Sequence, residues 1–383
     1  MMNFKKAAAL GLAFGMAFTT LAGSVTTVSA ADVETTHHKI GIGHYTDAGR
    51  GVDALHAYLD AIAPVIDCEF EFVTLSTYDE ATNLTSIQNL ISSGCEGIIM
   101  TADMGTQAIV EECASAGVYV AGYLCDYNQS FWTNYDATFG NEYFLGTIND
   151  GELDGTAYAE SVAEKVITEG YKNIGLITFP SWAYPQQQDI VKVFCEKIDA
   201  YNESAEEPIS YTDVRELEFT ALDPNYFSEN PDLDCIFSVA AGASNVYPVM
   251  VEAGKTDIKL ITTGFEATSD VENFGSSGNG CYQGVRCSAI EAIAYPLCLL
   301  IDKLNGTVYA DLPEETERVD CLAYNVLSDA DMEIMKTTMY YTGDAADSYI
   351  SGEDIVNMCA SYNPEATYAG LKERTNKLSL SDR

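Results

Sequence analysis

Four histidines, His37, His38, His44 and His56, supply every imidazole of this 383-residue chain. None stands in a His-Glu-x-x-His or His-x-x-His spacing, so no helix presents a paired-imidazole metal site. The chain has no Gly-x-Ser-x-Gly elbow and no phosphate-binding loop. Gly41-Ile42-Gly43 runs on into His44-Tyr45 without the third glycine of a dinucleotide fingerprint. Carboxylates are so abundant that any two could be read as an acid and a base, and spacing singles out no pair. The 11 cysteines are odd in number and include no Cys-x-x-Cys. Most lie in apolar runs such as Asp234-Cys235-Ile236-Phe237, where a thiol packs as a small hydrophobe. The expectation is no catalytic residue, no metal and no cofactor.

A different set of residues stands out by position. Short runs rich in β-branched residues recur at Lys39–Gly43, Glu69–Leu75, Gly97–Thr101 and Val118–Leu124, and again at Asn173–Phe179, Asp213–Phe219, Cys235–Ala240 and Leu260–Phe265. Helical patterns separate them, as where Leu84, Ile87, Leu90 and Ile91 share one face. Alternation of this kind predicts parallel sheets with right-handed crossovers, in two series and hence two doubly wound α/β lobes. Ligands of such sheets bind beyond the carboxyl ends of the strands. Those ends carry His44, Tyr45 and Asp47, then Asp103, then Asp126 and Tyr127; the second series ends in Pro180, Ser181, Trp182, Tyr184 and Glu266. Aromatic faces can stack on a sugar ring or a base, and carboxylates can take paired hydrogen bonds from hydroxyls.

Composition narrows the partners. With 58 acidic against 19 basic side chains the net charge is −39, which repels nucleic-acid phosphates and anionic lipid alike. A hydrophobic content of 47%, with 24 Tyr and 15 Phe, is that of a folded chain. Residues 1–30 have the pattern of a secretory signal: Lys5 and Lys6, an apolar stretch from Ala7 to Ala22, and a small-x-small site at Val28-Ser29-Ala30. Its removal takes away two lysines and no carboxylate. Leu21-Ala22-Gly23-Ser24 has serine where a lipidated cysteine would stand, so no lipid anchor is expected.

In this order of elements the chain resembles the type I periplasmic binding proteins, the ribose-binding-like solute receptors of bacterial ABC importers, over roughly residues 38–330. Lys39-Ile40-Gly41-Ile42-Gly43 is similar to the opening strand of that family. Ile87-Gln88-Asn89-Leu90-Ile91, leading to Gly97-Ile98-Ile99, is similar to its second helix and third strand, and Val251-Glu252-Ala253-Gly254-Lys255 with Leu260–Ala267 to a later pair. The resemblance implies a periplasmic binding protein-like type I fold, with two lobes joined by a three-segment hinge. Residues 38–166 plus 287–306 would form one lobe and 167–286 plus 319–330 the other; beyond the resemblance, the last fifty residues, within 331–383, have the pattern of a helical extension. The resemblance also implies ligand contacts near Tyr45, Phe219, Glu266 and Arg286. The chain departs from the family pattern where Cys125-Asp126 replaces an Asp-Arg pair, Ile190 an arginine and Ala240-Ala241 an Asn-Asp loop. Fewer charge-assisted donors remain for sugar hydroxyls.

The expected ligand set is therefore His44, Tyr45, Asp47, Asp103, Asp126, Trp182, Phe219, Glu266 and Arg286. The expected protein is an exported, monomeric, non-enzymatic receptor that hands a small polar solute, a sugar or sugar derivative, to a membrane permease. Alternatives are a sensing module for a receptor kinase or chemoreceptor, and a receptor for a nucleoside or another small solute. An exported enzyme lacks an assembled nucleophile, base or metal set. A repressor with the same lobes is disfavoured by the signal and by the want of an N-terminal DNA-binding helix pair.

Overall fold

The computed structural model describes residues 34–76, 79–125, 127, 134–149, 153–240, 242–263 and 268–380. The signal-like segment 1–30 lies outside them. Among the described residues no helix is long and apolar enough to cross a membrane.

The first sheet is built from β1 (His38–His44), β2 (Cys68–Thr74), β3 (Gly97–Met100), β4 (Tyr119–Tyr123) and β5 (Phe144–Asn149). All pair in parallel in the order β5-β4-β3-β1-β2, and a late strand, Arg318–Asp320, adds to the β5 edge. Its helices are α1 (Arg50–Ile66), α2 (Glu80–Ser92), α3 (Thr106–Ala116) and α4 (Tyr135–Phe139). Period-two alternation divides each strand between two apolar layers. Ile98, Met100 and Val120 pack with Ile87, Leu90 and Ile109 of α2 and α3. Ile99, Ala121 and Ile148 face the other way, onto Leu55, Tyr58 and Leu59 of α1. Covered on both faces, the inner strands β3 and β4 carry no charged residue, whereas the edge strand β2 keeps Glu69 and Glu71.

The second sheet begins after α5 (Leu153–Glu169), with β6 (Asn173–Thr178) and α6 (Pro185–Asn202), then β7 (Ser210–Tyr211), β8 (Arg215–Glu216) and α7 (Tyr226–Glu229). It continues through β9 (Cys235–Ser238), α8 (Gly242–Asn245), α9 (Tyr247–Glu252), β10 (Lys259–Thr262), α10 (Thr268–Glu272) and β11 (Tyr282–Ser288). After a 3₁₀ turn at Ile290–Ile293 come α11 (Ala294–Leu304), β12 (Arg318–Asp320) and β13 (Ala323–Val326). The strand order is β13-β11-β10-β9-β6-β7, with β8 also on β6 and only β13 antiparallel. Helices α12 (Asp329–Met335), α13 (Met339–Thr342), α14 (Gly352–Met358) and α15 (Tyr368–Asn376) complete the chain.

Two assignments differ from the expected division. The α5 residues Tyr158, Val162 and Val166 pack with Phe194, Ile174 and Phe237, so α5 lies against the second sheet, not the first. Strand β12 pairs with β5, Arg318 opposite Thr147, and so closes the first sheet although residues 319–330 were expected in the second. The chain therefore passes between sheets after Asn149, at Ile290–Ile293, and between Asp320 and Ala323.

Phe194 shows how tightly the second layer is filled: it is fully buried, with its ring 5.1 Å from that of Phe237. Phe194→Ala is expected to cost about 3–5 kcal/mol, the lost transfer energy plus the cavity left behind. Chemical denaturation should show a lower midpoint with an unchanged slope.

Candidate functional site

Both parallel sheets deliver side chains to the carboxyl ends of their strands, where the backbone is strained. Four non-glycine residues among those described have positive φ, and three lie just beyond strands: Leu124 (57°) and Tyr127 (44°) after β4, and Phe219 (58°) after β8. Such conformations cost about 1–3 kcal/mol each and collect at binding sites, where the surrounding packing holds them.

At the first sheet, His44 ends β1 as a buried ring that stacks on Tyr45 with centroids 4.6 Å apart. Its Nδ1 lies 2.9 Å from the Thr46 carbonyl. Burial holds the imidazole below its usual pKa, outweighing the opposing pull of that carbonyl, and nearby His56 adds to the lowering. His44 is thus a neutral support for Tyr45. Tyr45 is 47% exposed and its N–H donates to Thr101 Oγ1 at 3.0 Å. Asp47, also exposed, follows in the same loop.

Asp103 occupies a different environment. It sits beside Cys125 and Tyr127, where loss of solvent pushes its carboxyl up to about 6 against hydrogen bonds from the Cys125 thiol and the Tyr127 backbone. It supports the floor of the β3–β4 end more than it lines an open rim. Asp126 lies outside the described residues, as does Glu266 at the corresponding end of β10.

The second sheet contributes an aromatic group centred on Phe219. Its ring is 5.2 Å from Phe179, 5.9 Å from Trp182 in an edge-on arrangement, and 6.1 Å from Tyr184. Trp182 is 47% exposed. Glu216 fixes the loop beneath it: one carboxyl oxygen accepts from the Ser181 N–H at 3.1 Å and from Gln188 Nε2 at 3.2 Å. Gln188 also donates to Thr178 Oγ1 at 3.1 Å, and Gln187 accepts from the Phe179 N–H at 2.7 Å. Ile190, where the resemblance has an arginine, is buried against Gly155 of α5, whose Cα hydrogen side leaves it room.

Arg286 is on β11, buried, opposite Asn325 of β13, and its cation opposes the burial-driven rise of the Tyr158 phenol. It belongs to the wall between two strands and is less accessible than Tyr45 or Trp182. The first-sheet residues Tyr45 and Asp47 thus share one loop, and Trp182 and Phe219 share one aromatic group; Asp103 and Arg286 lie deeper. Glu216 and Thr101 escaped the sequence reading, although Glu216 falls within the strand expected at Asp213–Phe219. The signal available was its place at a parallel strand's end.

A separate polar trough of about 870 Å³ lies along the outer edge of β12, lined by Tyr135, Glu314, Glu315, Arg318, Lys372 and Asn376. Its Lys372 is engaged with Glu317 at 2.8 Å.

Two parallel lobes of this strand order, with late strands returning to each, define the type I periplasmic-binding-protein fold. Among solved structures the chain is similar to a solute-binding protein from Agrobacterium vitis bound with α-D-tagatopyranose, at TM-score 0.57 and 14% identity, over 77% of this chain and 96% of that one. It is likewise similar to an arabinose-binding protein from Geobacillus stearothermophilus, at 0.57 and 16%, over 78% and 99%. A second Agrobacterium vitis solute-binding protein, with bound allitol, gives 0.55 and 13%, over 79% and 99%. No protein-family model matches the chain, and no curated protein matches it in sequence.

The raised Asp103 pKa fixes a pH effect. Because the folded protein holds this proton more tightly than the unfolded chain, stability falls as pH rises from about 4 through about 6. Asp103→Asn should therefore be more stable than the parent at pH 7 by about 1–3 kcal/mol, and equal to it below about pH 4. Ligand-free denaturation at the two pH values checks this.

Proposed function

We propose that this protein is an extracytoplasmic solute-binding protein that captures a sugar or sugar derivative between its two sheets for ABC-type import. The observation that carries the reading is the pair of exposed aromatics, Tyr45 and Trp182, each 47% exposed and each beyond a parallel strand of a different sheet. On this fold, solved relatives hold tagatose and allitol, and another is an arabinose-binding protein. Rings of this kind offer apolar faces to the C–H side of a sugar. Asp47 and the amides of Gln186 to Gln188 supply polar partners for hydroxyls.

In this reading the chain binds and does not turn its ligand over. Strands β1–β5 and β12 make one lobe and β6–β11 and β13 the other, with the site closing as they rotate about the crossovers. The signal-like residues 1–30 direct export without a lipid anchor. The liganded monomer docks on a membrane permease, and the acidic surface keeps it soluble and unassociated.

Native mass spectrometry of the purified protein, followed by a thermal-shift panel of pentoses, hexoses, polyols and nucleosides, tests the reading. A sugar or polyol should raise the melting temperature. Trp182→Ala should weaken that ligand about tenfold, equivalent to about 1.4 kcal/mol, while the ligand-free melting temperature stays put because the ring is half in solvent. A chain that carries no ligand and responds to no member of the panel would refute it.

A further inference from the structure

The C-terminal helices make a fourth passage between the sheets. Helix α12 belongs with the second: it packs on β13, and Asp329 accepts the N–H of Ser276 at 3.2 Å. After a three-residue link, 336–338, α13 and then α14 lie along α1 of the first sheet. Arg50 of α1 donates to the Tyr341 carbonyl at 2.9 Å and sits 4.7 Å over the Tyr341 ring. Gly352 brings α14 so near α1 that a Cβ there would stand 2.8 Å from Val65. Further on, both carboxyl oxygens of the buried Asp302 in α11 accept backbone N–H groups, of Ala360 and Ser361, at 2.8 Å each.

One buried side chain joins this passage to two of the others. Glu291, in the 3₁₀ turn where β11 leaves the second sheet, is fully buried. One of its oxygens accepts the Tyr349 N–H of the extension at 3.0 Å. The other accepts the Tyr324 hydroxyl at 3.3 Å, from the strand entered after the third crossing. The adjacent Ile290 carbonyl accepts the Tyr123 hydroxyl of β4 at 3.2 Å. On the outer side, Arg374 donates to the Tyr349 carbonyl and lies 4.3 Å over its ring. A carboxyl group with no solvent must keep its donors, since an unmet acceptor there is costly. Opening that pulled Tyr349 or Tyr324 away from Glu291 would incur that cost.

We propose that residues 336–380 form a strap across the hinge, knotted at Glu291, which restricts how far the two lobes open in the ligand-free protein. The device rests on the reading that the lobes move about their crossovers. Its natural consequence is a smaller ordering cost on closure, since fewer open conformations remain to be lost.

The test severs the strap and keeps all of its parts. A protease site inserted at Thr337, an exposed residue between α12 and α13, is cut in the folded full-length chain; a control site at Glu365, between α14 and α15, is cut in the same way. Lobe separation is read without ligand, as the distance distribution between fluorophores on the two lobes and as the radius of gyration from small-angle X-ray scattering. Cutting at Thr337 should broaden the distribution and enlarge the radius, whether or not the fragment stays bound, and cutting at Glu365 should change neither. Glu291→Gln, which leaves one acceptor oxygen for two donors, should move the intact chain the same way by a smaller amount. If the intact protein samples several separations and the Thr337 cut leaves them unchanged, the strap is refuted and the cleft reading stands. If intact and cut proteins both hold a single separation, the hinge reading falls with it. No response to Glu291→Gln would remove that residue from the device.

Discussion

Parallel strand pairing is the constraint on which the rest of this molecule depends. A parallel sheet obliges the chain to return to the same edge after every strand, so helices must cover both faces and all strand exits gather along one line. The covered faces explain why Ile98 and Ile99, neighbours in sequence, feed two different apolar layers. The gathered exits explain why Tyr45, Tyr127, Trp182 and Phe219, far apart in sequence, occur at equivalent places. The antiparallel strand β13 and the late β12 are departures from strict alternation that let one chain close both sheets after building most of each.

The same constraint governs the electrostatics. Strand exits carry unpaired backbone groups and polar side chains at the border of a dry core, and there the charge state of a residue depends on depth. Asp47 is in solvent, whereas Asp103, one layer down, holds its proton to about 6 because burial disfavours the charged form. Net charge distinguishes neither, being a property of the whole surface. The scarcity of cations is more informative. Of the two arginine positions that the resemblance suggests, one falls at Cys125-Asp126 and the other is the core residue Ile190, while Arg286, at a polar position of that pattern, is buried between strands. The strand ends therefore offer the proposed ligand aromatic faces, amides and carboxyls more than guanidinium groups.

Most of the strands and helices were legible because their signal is local: β-branched runs bounded by glycine and polar turns, and apolar residues at helical spacing. What was not legible was attachment. The apolar stripe of α5, Tyr158 to Val166, fits either sheet equally well, and only its packing with Phe194 and Phe237 shows which. Arg318-Val319-Asp320 is too short and polar to announce a strand, and it becomes one because β5 has a free edge to pair with. At the site, exposed aromatics beyond strands could be found from sequence, because only strand limits were needed. The contacts of Glu216 with Ser181 and Gln188 could not, since β8 and β6 meet through a pairing no local pattern encodes.

The extension was equally opaque, and its arrangement has a physical logic of its own. Three crossings already tie the sheets together, so a fourth closes a loop whose entropy cost grows only slowly with its length. That modest cost is offset by burying Met335, Met339, Ile350, Ile355 and Leu371 in the same apolar core as α1 and α11. Apolar contacts alone would tolerate sliding, because they are not directional. A buried carboxyl group is: Glu291 meets the Tyr349 N–H and the Tyr324 hydroxyl in fixed directions, Asp302 likewise meets the N–H groups of Ala360 and Ser361, and three of these four donors come from the extension. Apolar burial thus supplies the adhesion, and the two carboxyl groups set the register in which the extension lies across the hinge.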